Sequence, residues 1–250
     1  MRKLSVIGMG VGDPEQLTVQ AIDALNRVDV FFAMDKGSVK ADLLQLRKQI
    51  CRRYIRDRTY RFVEITDPQR DAAIDSYTDR VQLWHEQRAA LWRAQFEREL
   101  GAEGRGGFLV WGDPALYDST LRILEALAAR GGGFEYEVIP GISAVQALAA
   151  SHRIPLNRIG GAVHITTGRR LAADVAAGND DVVVMLDGEC AWKALDPAAF
   201  EIYWGAYLGS PQQLLAHGRL CDVGEAIESR RAAARAEHGW IMDTYLLRRL

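Results

Sequence analysis

Three short apolar runs in this chain each end in a loop of glycine and proline, and that recurrence restricts the fold more than any other feature. Residues 4–8 run into Gly8-Met9-Gly10-Val11-Gly12-Asp13-Pro14, residues 108–111 into Gly112-Asp113-Pro114, and residues 135–139 into Pro140-Gly141-Ile142-Ser143. Short apolar runs bounded by turn residues read as buried strands. Each loop is followed by a helical pattern, with Thr18 and Ser143 as N-caps and residues 119–129 as the helix after the second loop. Strand, loop, helix, strand is the order of a parallel α/β sheet, whose strand carboxyl ends face one crevice where ligands bind. Glycine there lets backbone approach a small ligand closely. Three ordinary strand-to-helix turns are the bland alternative.

Further elements fill the same scheme. Residues 28–34 read as a strand with Asp35-Lys36-Gly37 at its carboxyl end, 43–50 as a helix and 60–65 as a strand. Residues 67–100 hold no Gly or Pro after Pro68 and read as a long helix or helical hairpin, ended by a break at 101–107. Beyond Gly161, strands are expected at 162–167, 182–186, 200–207 and 240–247, and helices at 211–217 and 223–238. The chain therefore reads as two α/β domains, residues 1–142 and 161–250, joined by a linking helix and linker over 143–160.

The glycine-rich first turn is not a dinucleotide fingerprint. That motif needs G-x-G-x-x-G, whereas Gly8-x-Gly10-x-Gly12 is followed at once by Asp13-Pro14-Glu15, placing carboxylates where a diphosphate would sit. No Gly-Lys-Ser or Gly-Lys-Thr supplies a Walker loop, and no Gly-x-Ser-x-Gly elbow supplies a nucleophile. Five scattered histidines and Cys51, Cys190 and Cys221 show no metal-ligand spacing, so no metal site is expected. Three cysteines without a C-x-x-C fit buried thiols in a reducing compartment, and the start of the chain lacks an h-region, so a cytoplasmic protein is expected.

Charge is uneven. Residues 36–61 carry nine Lys or Arg against Asp42 and Asp57, although the whole chain has a net charge of −2. Such a block reads as a surface that meets an anion (a polycarboxylate, a phosphate chain or RNA) or as a solvated helix face. The overall negative charge argues against a nucleic-acid partner, and no apolar run is long enough for a membrane span.

The run Val6-Ile7-Gly8-Met9-Gly10-Val11-Gly12-Asp13-Pro14-Glu15-Gln16-Leu17-Thr18 resembles the opening of the S-adenosylmethionine-dependent tetrapyrrole methylases. Gly112-Asp113-Pro114-Ala115-Leu116-Tyr117 is similar to that family's second motif, and Val138-Ile139-Pro140-Gly141-Ile142-Ser143-Ala144 to its third. Val11 stands where the family usually has proline, and Trp111 where it often has glycine. The resemblance implies the tetrapyrrole methylase fold, two α/β domains with the ligand cleft between them, and a homodimer. It implies S-adenosylmethionine as methyl donor, with Val11, Trp111, Gly112, Asp113, Leu116, Tyr117, Ser143, Ala144, Met185 and Leu208 as cofactor-binding residues. The implied substrate is a precorrin, a tetrapyrrole rich in carboxylates, some of which Arg47, Lys48, Arg52, Arg53, Arg56 and Arg58 would hold.

Three local runs narrow the resemblance: residues 30–37, 184–189 and 203–209. They imply methylation of precorrin-5 at ring carbon 1 with release of acetate. Other readings are methylation at carbon 11, 17 or 20, 2′-O-methylation of ribosomal RNA, or a non-catalytic tetrapyrrole binder. A sulfonium donor needs alignment and no metal, whereas loss of an acetyl group needs a general base and an oxyanion donor. Asp35 is the first candidate base, Glu189 the second, and Lys36 the candidate donor.

Overall fold

The computed structural model describes residues 1–35, 41–68 and 76–250. They divide into two compact units, one of Met1–Gly10 with Pro14–Ile142, the other of Val11–Asp13 with Ser143–Leu250.

The first unit is built on strands β1 (Arg2–Gly8), β2 (Val30–Asp35), β3 (Arg61–Thr66), β4 (Arg105–Val110) and β5 (Phe134–Ile139). They form one parallel sheet in the order β3-β2-β4-β1-β5. The middle strands β1 and β4 are buried on both faces and read as continuous apolar runs, as a covered parallel sheet requires. The edge strands β3 and β5 alternate with exposed positions. On one face, Leu4, Val6, Phe32 and Phe108 pack with Trp92 and Phe96 of α3 (Tyr77–Leu100) and Ile123 of α4 (Thr120–Ala129). On the other, Ile7, Phe31 and Leu109 pack with Leu25 of α1 (Val19–Leu25) and Ile50 of α2 (Ala41–Tyr54).

Two differences from the sequence reading have clear causes. Strand β4 begins at Arg105, so Gly106 and Gly107 lie inside it and do not form part of a break. A Cβ on Gly106 would meet Leu4 and Phe32 side-chain carbons at 2.7 and 2.8 Å, so the packed core, and no turn, demands glycine there. The long helix starts at Tyr77, with Ser76 accepting a hydrogen bond from the Asp79 amide. Asp67 and Pro68 precede it without regular structure, and Lys36 lies outside the described residues.

The second unit has β6 (His164–Thr167), β7 (Asp181–Met185), β8 (Phe200–Ala206), β9 (Leu214–Arg219) and β10 (Asp243–Arg249) in the order β6-β7-β10-β8-β9. Only the β6–β7 pair is parallel. Val182, Val184, Ile202, Trp204, Tyr245 and Leu247 pack with Trp192 and with Ile227 of α7 (Leu220–His238). Helix α5 (Ala144–His152) packs on β8 and β10 of this unit, and α6 (Leu171–Ala176) lies against β6 and β7.

The helix expected at 211–217 is instead strand β9, paired antiparallel with β8 from Glu201↔Arg219 to Ala206↔Leu214. Gly209 (φ +72°) makes the hairpin turn, and its amide donates to Gln213 Oε1. A helix as short as the one expected at 211–217 is too short to be stable in isolation, whereas the open edge of β8 offers a complete ladder.

Candidate functional site

At the carboxyl ends of β1, β4 and β5 the three loops meet through bare backbone. A Cβ on Gly8 would lie 2.5 Å from the Gly141 nitrogen, and one on Gly141 2.2 Å from the Gly112 carbonyl oxygen. The Gly112 amide donates to the Gly10 carbonyl at 2.8 Å, and both glycines have left-handed φ, +66° and +73°. Only glycine permits this three-way approach.

Asp113 closes the arrangement. Its Oδ1 accepts the Ala115 amide at 2.8 Å and its Oδ2 the Gly141 amide at 2.9 Å, so one carboxylate joins the second loop to the third. Trp111 is half-buried against the cluster of Ile7, Met9 and Phe31. Leu116 is half-buried, and its amide donates to the Asp113 carbonyl. Tyr117 is 45% exposed and held at φ +53°, a conformation that costs a non-glycine residue about 1 kcal/mol or more.

The remaining cofactor candidates belong to the second unit. Val11 is buried, and a Cβ on the next residue, Gly12 (φ +146°), would sit 3.0 Å from the Leu208 carbonyl. Sequence-distant Val11 and Leu208 are thus brought together through the Gly12 contact. Ser143 is spent on the helix it caps: its hydroxyl accepts the Val145 amide, and Gln146 Oε1 accepts the Ser143 amide, a capping box. Ala144 is the first residue of α5, half-buried.

Met185 ends β7 and leads into a turn in which Leu186 (φ +53°) and Cys190 (φ +59°) are both left-handed. Buried Asp187 holds that turn: its Oδ1 accepts the Glu189 amide, and its Oδ2 accepts the Ala191 amide and the Tyr245 hydroxyl. Arg231 donates to the Asp187 and Gly188 carbonyls and to Asp243, which also accepts the Trp204 indole N–H. Burial opposes the Arg231 charge, yet the Asp243 bond and the nearby carboxylates keep its pKa above the ordinary value. The Tyr245 hydroxyl is raised far above the ordinary range, by burial first and then by Asp187. Sequence reasoning missed Arg231, Asp243 and Tyr245. Arg231 and Asp243 lie 12 residues apart on different elements, and no local pattern joins them.

The candidate catalytic residues are placed unevenly. Asp35 is the last residue of β2, in register with Thr66 of β3. Glu189 is exposed in the second unit, with its amide tied to Asp187. Lys36 is outside the described residues.

Four of the seven described members of the basic block are ion-paired within the fold. Lys48 pairs with Glu64 and Arg53 with Glu15, at 2.8 and 2.7 Å, while Arg58 pairs with Asp29 and Arg61 with Glu99. Those side chains follow the solvated-face reading of the sequence. Arg52 and Arg56 are exposed, and Arg47 is turned into the structure.

The first unit's loops carry half-buried Leu116 and Trp111 and exposed Tyr117, while the Asp113 carboxylate is engaged by the Ala115 and Gly141 amides.

Comparison with known proteins shows the family. The family profile described as Tetrapyrrole (Corrin/Porphyrin) Methylases matches residues 3–224. A protein of Sinorhizobium sp named precorrin-6A synthase [deacetylating] is 52% identical over 250 residues, covering 100% of this chain and 96% of the relative. A crystal structure of a cobalamin synthesis related protein, CobF, from Corynebacterium diphtheriae superposes with a TM-score of 0.84 at 41% identity, covering 100% of this chain and 99% of that one. The uroporphyrin-III C-methyltransferase of Thermus thermophilus complexed with S-adenyl homocysteine has a TM-score of 0.56 at 19% identity, covering 98% of this chain and 91% of that one, which is a likeness of fold.

Proposed function

Since this chain belongs to the tetrapyrrole (corrin/porphyrin) methylases, we propose that it methylates a precorrin with S-adenosylmethionine as donor and removes an acetyl group from the same substrate. The substrate is precorrin-5 and the product precorrin-6A, methylated at ring carbon 1. One observation carries this reading: the full-length 52% identity to a precorrin-6A synthase [deacetylating].

When bound, the donor supplies a methyl group already activated by its sulfonium. The protein's own task is then alignment, which is where proximity and orientation lower a barrier. Loop 112–117, fixed by Asp113 to Gly141, holds Leu116 and Tyr117 as a rigid rim on the first unit. On the second unit Val11 would help bind the donor, and Ser143, Ala144, Met185 and Leu208 would line its adenosine.

Acetyl loss is a separate demand. Water adds to the acetyl carbonyl as a base takes its proton; the tetrahedral adduct then collapses with cleavage of the bond from the acyl carbon to the ring, so acetate leaves and the electron pair of that bond stays with the ring carbon. Asp35 is the assigned base, at the carboxyl end of β2; Lys36 is the assigned donor to the oxyanion, and Glu189 is the second candidate base. The protein acts as a cytoplasmic homodimer, and sedimentation at micromolar concentration should give a species of twice the chain mass.

The acceptor is tested with labelled S-adenosylmethionine offered in parallel to precorrin-5 and to ribosomal RNA. Label in the tetrapyrrole alone is expected. Label in the RNA would overturn the reading.

A further inference from the structure

The sheet of the first unit opens at its carboxyl end. The β2–β4 ladder stops at Phe31↔Gly107, while β1–β4 pairing continues to Gly8↔Val110. The Val110 carbonyl turns toward β1, where it accepts the Met9 amide at 2.9 Å. Carbonyls alternate along a strand, so the Leu109 carbonyl points the other way, into the gap beside β2.

Arg47 of α2 fills that gap. Its Nε donates to the Leu109 carbonyl at 3.0 Å, and one terminal nitrogen donates to the Leu43 carbonyl at 2.9 Å. A guanidinium has five N–H groups, so three remain. Among the described residues no carboxylate forms an ion pair with Arg47, whereas Lys48, Arg53, Arg58 and Arg61 each have one. Desolvation lowers its pKa, and Asp118 acts on it only as a more distant countercharge. Asp118 is itself engaged, accepting the Thr120 amide. A charge withdrawn from water is ordinarily paired, because desolvation is costly without a countercharge.

We propose that Arg47 binds a carboxylate of the bound reactants at the open end between β2 and β4. Among the described residues of the basic block this is the inward-turned side chain that lacks an ion pair, and its planar fork suits two parallel bonds to a carboxylate. The inference rests on the methylase reading, in which both reactants are acids: the donor carries one α-carboxylate and the tetrapyrrole several. If Arg47 served only to tie α2 to β4 through the Leu109 carbonyl, no ligand would sense its loss.

The test uses the whole protein and measures affinity rather than turnover. S-adenosylhomocysteine, its decarboxylated analogue and uroporphyrin III are titrated into the unaltered protein and into Arg47→Met and Arg47→Lys. If Arg47 meets the donor, Arg47→Met weakens S-adenosylhomocysteine at least tenfold and leaves the decarboxylated analogue unchanged. If it meets the macrocycle, uroporphyrin III weakens at least tenfold and S-adenosylhomocysteine does not change. Arg47→Lys, which keeps the charge and loses the fork, should lie between, and it answers the question alone should Arg47→Met fail to fold. Variants with native circular dichroism and all affinities within twofold of the unaltered protein would overturn the proposal. An unaltered protein that binds neither S-adenosylhomocysteine nor uroporphyrin III would instead overturn the methylase reading.

Discussion

The Gly141 α-carbon stands so close to Gly112 that a Cβ built on it would lie 2.2 Å from the Gly112 carbonyl oxygen. The obstacle is backbone and cannot swing aside. Gly141→Ala is therefore expected to cost about 2–4 kcal/mol, the range of severe overpacking. Urea unfolding checks it, and a midpoint unchanged from the unaltered protein would mean that the loops separate freely.

Asp113 joins the same two loops through hydrogen bonds. Asp113→Ala leaves the Ala115 and Gly141 amides without their acceptors and should cost about 1–3 kcal/mol. If loop 112–117 binds the donor, S-adenosylhomocysteine affinity should fall as well, and Asp113→Asn, which keeps one acceptor, should lose less of it. Calorimetry showing full affinity for Asp113→Ala would remove this loop from the cofactor site.

Acid sensitivity in the second unit should centre on Asp174. The Thr166 hydroxyl, then the Arg170 guanidinium, lower its pKa to about 2. A depressed carboxylate stabilises the fold above its unfolded pKa of about 4 and loses that contribution as pH falls toward 2. Asp174→Asn should be less stable than the unaltered protein at pH 6, and the difference should shrink between about pH 4 and pH 2. Parallel stability curves across that range would contradict the assignment.

Methyl transfer and acetyl loss should separate at Asp35. Asp35→Asn keeps the size of the side chain and removes the basic carboxylate, so acetate release should slow about 100-fold while both ligands still bind. If methylation comes first, a methylated product that retains its acetyl group accumulates. Acetate release at the normal rate would transfer the role of base to Glu189.

Much of the first unit was legible because its central strands are apolar on both faces and its loops carry their own punctuation. Thr18 and Ser143 stand at positions where the sequence calls for caps, and both make the expected side-chain bonds. Other features depended on contacts between distant residues. Gly106 and Gly107 read as a break because the sequence does not reveal that Leu4, Phe32 and Val28 will crowd them. Residues 211–217 read as helix, although Leu214–Arg219 form a strand, because a strand at a sheet edge is specified by its neighbour. The basic block was visible as charge alone. Its division into paired side chains and the inward-turned Arg47 is a property of where Glu64, Glu15, Asp29 and Glu99 fall in space.

One protein is expected to perform both a methyl transfer and a deacetylation on one substrate. Incubation with precorrin-5 and methyl-labelled S-adenosylmethionine, followed by mass spectrometry of the tetrapyrrole and assay of free acetate, tests it directly. One labelled methyl group gained and one acetate released are expected for each tetrapyrrole converted. A methylated product that keeps its acetyl group, or acetate release without methylation, would contradict it.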